Sequence, residues 1–168
     1  MRNEPTLDAA WLSRVTAWYL ERYTSSTANL RRLLRARIRR RGGDDEALAL
    51  VEPELQRLQA IGLLNDAAYA ADKARTLHRR GVSGARIRAA LRGKGVDAEQ
   101  VGDAIESLHE EAEDPELTAA RTWARKRRLG PWRATPADPD QRRKEAARMG
   151  RAGFGWDIVR ATLDGPAD

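Results

Sequence analysis

Apolar residues recur at three- and four-residue spacing along almost the whole chain, the period of a helix with one buried face. Leu7, Trp11, Val15 and Trp18 make a first stripe, and Leu30, Leu34 and Ile38 a second, with Leu33 at its edge. Leu48, Val51, Leu55, Leu58 and Ile61 follow, and Pro53 either kinks this segment or begins its second part. Further stripes pass through Tyr69 and Leu77, through Ile87 and Leu91, and through Val101, Ile105 and Leu108. Near the end, "LTAARTWARKRR" and "DQRRKEAARMGRAG" read as helices separated by the Pro-rich loop "LGPWRATPADP". No run shows strict alternation, so the prediction is an all-α fold.

Helix punctuation agrees with these divisions. Asn65 or Asp66, Ser83, Asp97 and Asp114 stand where N-caps belong, and Gly81 and Gly95 where helices stop. Aligning glycines exposes a repeat: "GKGVDAEQVGDAI" at Gly95 matches "RAGFGWDIVRATL" at Gly153, with Val96 against Phe154, Val101 against Val159 and Ile105 against Leu163. "RRGGDDEALALV" at Gly42 and Gly43 is a looser copy. The spacings, 53 residues from Gly42 to Gly95 and 58 from Gly95 to Gly153, predict three tandem three-helix modules, residues 1–63, 64–112 and 113–168. The expected arrangement is elongated and curved.

Composition narrows the class. With 168 residues the chain suits one ordinary domain or a few small modules, and 41% apolar content is enough to fold. The 31 Lys and Arg exceed the 25 Asp and Glu by six, a balance that favours a polyanionic partner. The absence of cysteine excludes disulfides, thiolate chemistry and cysteine zinc sites. "MRNEPTLDAAWLSRV" carries no apolar leader core, and no segment approaches the roughly 18 apolar residues of a spanning helix. The expectation is a soluble, monomeric cytoplasmic protein that does not engage membranes.

Charge is sorted by helix. From Arg22 to Gly43 there are eight arginines and no acid, and from Lys73 to Val96 eight basic residues and no acid. Asp97 to Glu116 holds nine acids and no Lys or Arg, and Asp44 to Glu54 five acids and no base. On a helical wheel Arg31, Arg32, Arg35, Arg39 and Arg40 spread opposite Leu30, Leu34 and Ile38, where they can track phosphates. Arg37 and Arg41 fall inside the apolar stripe, so the helix frays before Arg41, or their stems snorkel, or a carboxylate faces them. A solvated face balanced by the acidic helices is the plain alternative. Against it stands the return of the basic character as Arg75, Arg79, Arg80, Arg86, Arg88, Arg92 and Lys94, and again as Arg121, Arg125 and Arg128 at i, i+4 and i+7. Arginine's planar fork suits bidentate contact to phosphate or carboxylate.

The five tryptophans, Trp11, Trp18, Trp123, Trp132 and Trp156, suit base stacking, but Trp11, Trp18 and Trp123 lie on apolar stripes and read as core, and Trp132, in the Pro-rich loop, is the one to test. Catalysis finds little support. His78 and His109 each stand alone, "HEEAE" lacks the second histidine of a zinc helix, and no Walker loop occurs. Asp66 reads as a cap and not as a base, and the acids read as solvated surface groups. No enzyme activity, metal or cofactor is expected.

The segment "GLLNDAAYAADKARTLHRRGVSGARIRAALRGKGVDAEQV" resembles the RecX family, small regulators of the bacterial recombinase RecA. The resemblance rests on Asp66, Tyr69 and Ala70, a basic helix with Arg75, then Gly81, Arg86, Ile87, Leu91, Lys94, Gly95 and Val96. It extends to "SSTANLRRLL" and "RAGFGWDIVRATL", although Asn65, Ala90 and Asn29 depart from the residues common there. It implies an all-helical fold of three-helix modules and a non-enzymatic role, lying in the groove of the RecA filament on DNA and lowering strand exchange and ATPase activity. The residues assigned to filament and DNA, single- or double-stranded, are Arg75, Arg79, Arg80, Arg86, Arg88, Arg92 and Lys94, assisted by Arg31, Arg35 and Arg39, with Arg121 and Arg125 in the last module. The rival readings are a helical module that binds bare nucleic acid, and a scaffold gripping a basic partner through Asp103, Glu106 and Glu110.

Overall fold

In the computed structural model residues 6–167 are described, so the first residues of the N-terminal segment lie outside that range. Among the described residues there are ten α-helices and no strand: α1 (Ala9–Leu20), α2 (Thr27–Arg40), α3 (Asp45–Ala49), α4 (Val51–Ala60), α5 (Asp66–Arg79), α6 (Gly84–Gly93), α7 (Ala98–Glu111), α8 (Pro115–Lys126), α9 (Pro139–Arg151) and α10 (Trp156–Asp164). A short 3₁₀ turn, Gly130–Trp132, interrupts the Pro-rich loop. No helix among the described residues is long and apolar enough to cross a membrane.

The helices form two compact units, Met1–Tyr69 with Lys94–Asp97, and Ala70–Gly93 with Ala98–Asp168. The core of the first is built from Trp11, Leu12 and Val15 of α1, Leu30, Leu34 and Ile38 of α2, Val51, Leu55 and Leu58 of α4, and Leu64. Each such aliphatic side chain, once buried, contributes roughly 1.5–3 kcal/mol of transfer free energy. In the second unit α8 supplies Ala119, Ala120 and Ala124 to a core with Leu129, Met149, Phe154 and Val159. These small residues let a turn approach α8 closely: a Cβ on Gly81 would stand 2.8 Å from the backbone nitrogen of Trp123.

Five helices stop in the same way. After α2, α4, α5, α8 and α9 the second residue past the helix adopts positive φ, in Gly42, Gly62, Gly81, Arg128 and Gly153, and the next residue's N–H reaches back to a carbonyl five positions earlier. This doubly bonded turn satisfies carbonyls that a helix end would otherwise orphan. Arg128, at φ 55°, is the one non-glycine in the left-handed region among the described residues. The split between α3 and α4 falls at Leu50, so Pro53 sits in the first turn of α4, where its missing N–H costs nothing.

Several expectations are corrected. Trp11 is buried and Trp123 packs edge-on against Phe154 at 6.1 Å, but Trp18 is 50% exposed, with the Arg22 guanidinium 4.6 Å above its ring. The buried face of α1 runs through Leu12, Val15 and Thr16 to Tyr19 and Leu20, which pack on the core, so Trp18 falls beside that face and is solvated. Trp132 is half-buried against the second core with its indole nitrogen unpartnered, and its remaining surface lines an open cavity with Arg121 and Arg125. Arg41 lies beyond the end of α2 with its guanidinium 5.4 Å from the centre of the Trp11 ring, and that contact answers the problem of a charge on the apolar stripe. Two carboxylates are not solvated: Glu54 accepts from Ser13 and from Arg57, and Glu145 accepts from the Gly130 N–H at 3.1 Å and from Arg133 at 2.7 Å.

Candidate nucleic-acid interface

The basic helices are held by a joint that occurs twice. In the first unit Ser26, the N-cap of α2, donates its hydroxyl to the carbonyl of Lys94, while Asp66 accepts from the N–H (2.7 Å) and hydroxyl (3.0 Å) of Thr27. In the second unit Ser83, just before α6, donates to the carbonyl of Ala152 at 2.7 Å, while Glu116 accepts from the N–H of Gly84 at 2.9 Å. Both carbonyls precede a glycine with positive φ, Gly95 (75°) and Gly153 (93°). Each glycine faces the start of the clasped helix, so a Cβ would collide with Ala28 in one joint and with the Ser83 hydroxyl in the other. A serine, an acid from a later helix and a left-handed glycine thus seat the N-terminus of α2 and of α6 alike.

Of the two candidate caps of α5 the structure selects Asn65, and Ser83 stands at the expected N-cap position of α6. Asn65 caps α5, accepting from the Ala68 N–H at 3.0 Å, which frees Asp66 to cap α2 instead. Ser83 acts as a donor in the joint, and the acceptor for the first α6 N–H is Glu116. A local pattern finds the nearest cap; it cannot find one supplied from 32 or 39 residues away.

With the joints superimposed, Ala28, Arg31 and Arg35 of α2 correspond to Ala85, Arg88 and Arg92 of α6. On α2 the small residues Ala28 and Ala36 floor a groove of about 560 Å³ walled by Arg31, Arg32, Arg35 and Arg39. Arg31 meets Glu52 in a two-bond contact at 2.7 and 2.9 Å, which raises its pKa and holds the Glu52 carboxyl below the usual carboxylate range. Arg35 and Arg39 are exposed and make no side-chain hydrogen bond among the described residues, although the charge of Arg35 also helps hold the Glu52 carboxyl down.

The other assigned residues divide by what they touch. Arg75 bridges Asp72 and Glu111, and these hydrogen bonds raise its pKa. Arg86 donates to the carbonyl of Arg151 at 2.7 Å, Arg121 to that of Pro166 at 2.7 Å, and Lys94 to Asn29 at 3.4 Å. Arg79, Arg80, Arg88, Arg92 and Arg125 are exposed, and their side chains have no partner among the described residues. The arginines thus serve two ends: some clamp turns and acids of the fold, and the rest project unneutralised donors suited to phosphate or carboxylate. Among the described residues no group of three or more His, Asp or Glu could hold a metal ion.

The family model described as "RecX, second three-helix domain" matches residues 65–105, from the Asn65 cap through Gly95 into α7. Over 92% of this chain and 84% of the relative, the sequence is 41% identical to Regulatory protein RecX of Myxococcus xanthus (strain DK1622). The chain belongs to the RecX family. Other RecX relatives are those of Pseudomonas entomophila (strain L48), 33% identical over 79% of each chain, and Leptothrix cholodnii (strain ATCC 51168 / LMG 8142 / SP-6), 37% identical over 68% of each. A crystal structure of regulatory protein RecX has the same fold, with a TM-score of 0.69 at 23% identity over 93% of this chain and 71% of that one. RecX family membership makes this a regulatory protein, and the matched segment holds one half of each joint together with Arg75 to Lys94.

Proposed function

We propose that this RecX-family protein regulates homologous recombination and DNA repair by binding the RecA filament on DNA, as a cytoplasmic monomer, and lowering its strand-exchange and ATPase activity. The observation that carries the reading is the recurrence of solvent-facing arginines whose side chains make no internal hydrogen bond, Arg35 and Arg39 on α2 and Arg88 and Arg92 on α6, on helices seated by matching joints. In this reading the chain divides into three modules, residues 1–63, 64–112 and 113–168, the third helix of the first being split at Leu50 into α3 and α4. Arg31, Arg75, Arg86, Arg121 and Lys94 orient the basic faces through their internal bonds, and Arg79, Arg80 and Arg125 extend them. A protein lying on nucleoprotein meets phosphates and acidic side chains together, and unneutralised guanidinium groups serve both.

The test is ATP hydrolysis by RecA filaments preformed on single-stranded DNA while the protein is titrated in below filament stoichiometry. A steep fall is expected. In the double variant Arg88→Glu/Arg92→Glu, inhibition should weaken at least tenfold, since each lost hydrogen bond to a charged group costs about 1.5–3 kcal/mol, while helicity is kept. Undiminished inhibition by that variant would overturn the residue assignment.

A further inference from the structure

A second basic surface lies outside these faces, between α9 and α10. Its floor is carbon: Ala146, Val159 and Leu163 line a pocket of about 220 Å³ whose exposed surface is mainly apolar. Trp156, the most exposed large hydrophobic residue at 67%, forms one wall, and Arg142, Arg143 and Arg160 stand at the rim.

The rim arginines are held loosely. Arg142 approaches Asp164 at 3.9 Å, Arg143 approaches Asp140 at 3.9 Å and Arg160 approaches Asp157 at 4.0 Å, all beyond hydrogen-bond length and all between well-exposed side chains. Arg133, lining the same pocket, contrasts with them: its guanidinium is spent on the buried Glu145 at 2.7 and 3.2 Å. The cavity therefore combines an apolar floor, an aromatic wall and three guanidinium groups that outnumber the one carboxylate of the lining, Asp164, and whose donors are free for a stronger acceptor.

We infer that this pocket docks an acidic segment of another protein that carries a bulky apolar side chain. The apolar side chain fills the floor against Trp156, and flanking carboxylates displace the long contacts of Arg142, Arg143 and Arg160. Charge complementarity calls for an anionic occupant, and the floor chooses among anions. Ala146, Val159 and Leu163 present no side-chain donor or acceptor to the edge of a nucleobase, whereas they reward an aliphatic or aromatic side chain. A buried apolar anchor with a charged rim is the common build of a peptide-binding hot spot.

Fluorescence anisotropy of the full chain with a labelled Asp/Glu decapeptide bearing one central Leu tests this. The comparison probes are the same peptide with Ser for Leu and a ten-residue oligothymidylate. The Leu peptide should bind at least fivefold more tightly than the Ser peptide. Its affinity should fall at least tenfold in Arg142→Glu/Arg160→Glu and fivefold in Trp156→Ser, exposed positions whose helicity is checked by circular dichroism. Arg88→Glu/Arg92→Glu should leave it unchanged, which separates this surface from the proposed filament contact. Equal binding of the two peptides, indifference to the α9 and α10 variants, or oligothymidylate binding lost in those variants without peptide binding would each overturn the proposal.

Discussion

Gly95 shows how much one residue can decide. Its φ of 75° is unfavourable to any side chain, and a Cβ there would run into Ala28. Gly42, at φ 72°, has nothing within 4 Å of a Cβ position and suffers only the conformational penalty. Gly95→Ala should therefore cost about 2–4 kcal/mol, strain plus overpacking, and Gly42→Ala about 1 kcal/mol, compared by urea midpoints at constant m-value. Asp66→Ala should cost about 1–2 kcal/mol through the lost cap on α2, with Asp66→Asn recovering most of it. The glycines were legible in the sequence because a helix stop is a local event, visible where the apolar period breaks. The role of Asp66 was not, because its partner Thr27 lies 39 residues earlier while Asn65 supplies the local cap.

At the scale of the element, the apolar stripes place nearly every helix, since a stripe records which face must be buried. A stripe does not record its own exact centre, and Trp18 stands in solvent because the buried face of α1 is centred on Leu12, Val15 and Tyr19, one position round from the stripe drawn through Trp18. The arginine helix divides its charges by the same logic. Which arginines are spent inside the fold depends on partners far along the chain, Glu52 for Arg31 at 21 residues and the Arg151 carbonyl for Arg86 at 65, so periodicity marks the basic face without sorting it. The Arg31–Glu52 pair has a pH signature. Because Arg31 depresses the folded-state pKa of Glu52, the pair's contribution is present above the unfolded carboxyl pKa, about 4.3, and is lost as pH falls through the lower folded value. Both side chains are more than a third exposed, so the contribution is at most about 0.5 kcal/mol after screening. Wild type should hold that small advantage over Glu52→Gln in thermal unfolding at pH 6 and lose it toward pH 3. An advantage that persisted at pH 3 would contradict the pairing.

Across the molecule, a repeat first seen as spaced glycines becomes a repeated joint. The looser copy has a physical cause: Gly43 stands where Val96 and Phe154 fill the other copies, and a Cβ there would meet Ile38 and Leu7, so Leu7 occupies the space instead. At the other end of the series α9 begins at Asp138 and Pro139, which offer neither the hydroxyl nor the N–H that both joints use. Both seated helices, α2 and α6, carry solvent-facing arginines whose side chains make no internal hydrogen bond, as α5 and α8 also do, and this links the frame to the function proposed for it. The most direct test is the affinity of the protein for RecA-coated single-stranded DNA beside its affinity for the same DNA bare, each as a function of salt. At physiological salt the filament should be bound at least tenfold more tightly than bare DNA. Equal affinity for the two, with a log–log salt slope of about −5 on bare DNA, as six phosphate contacts would produce, would contradict the account and make the arginine faces a nucleic-acid site that needs no protein partner.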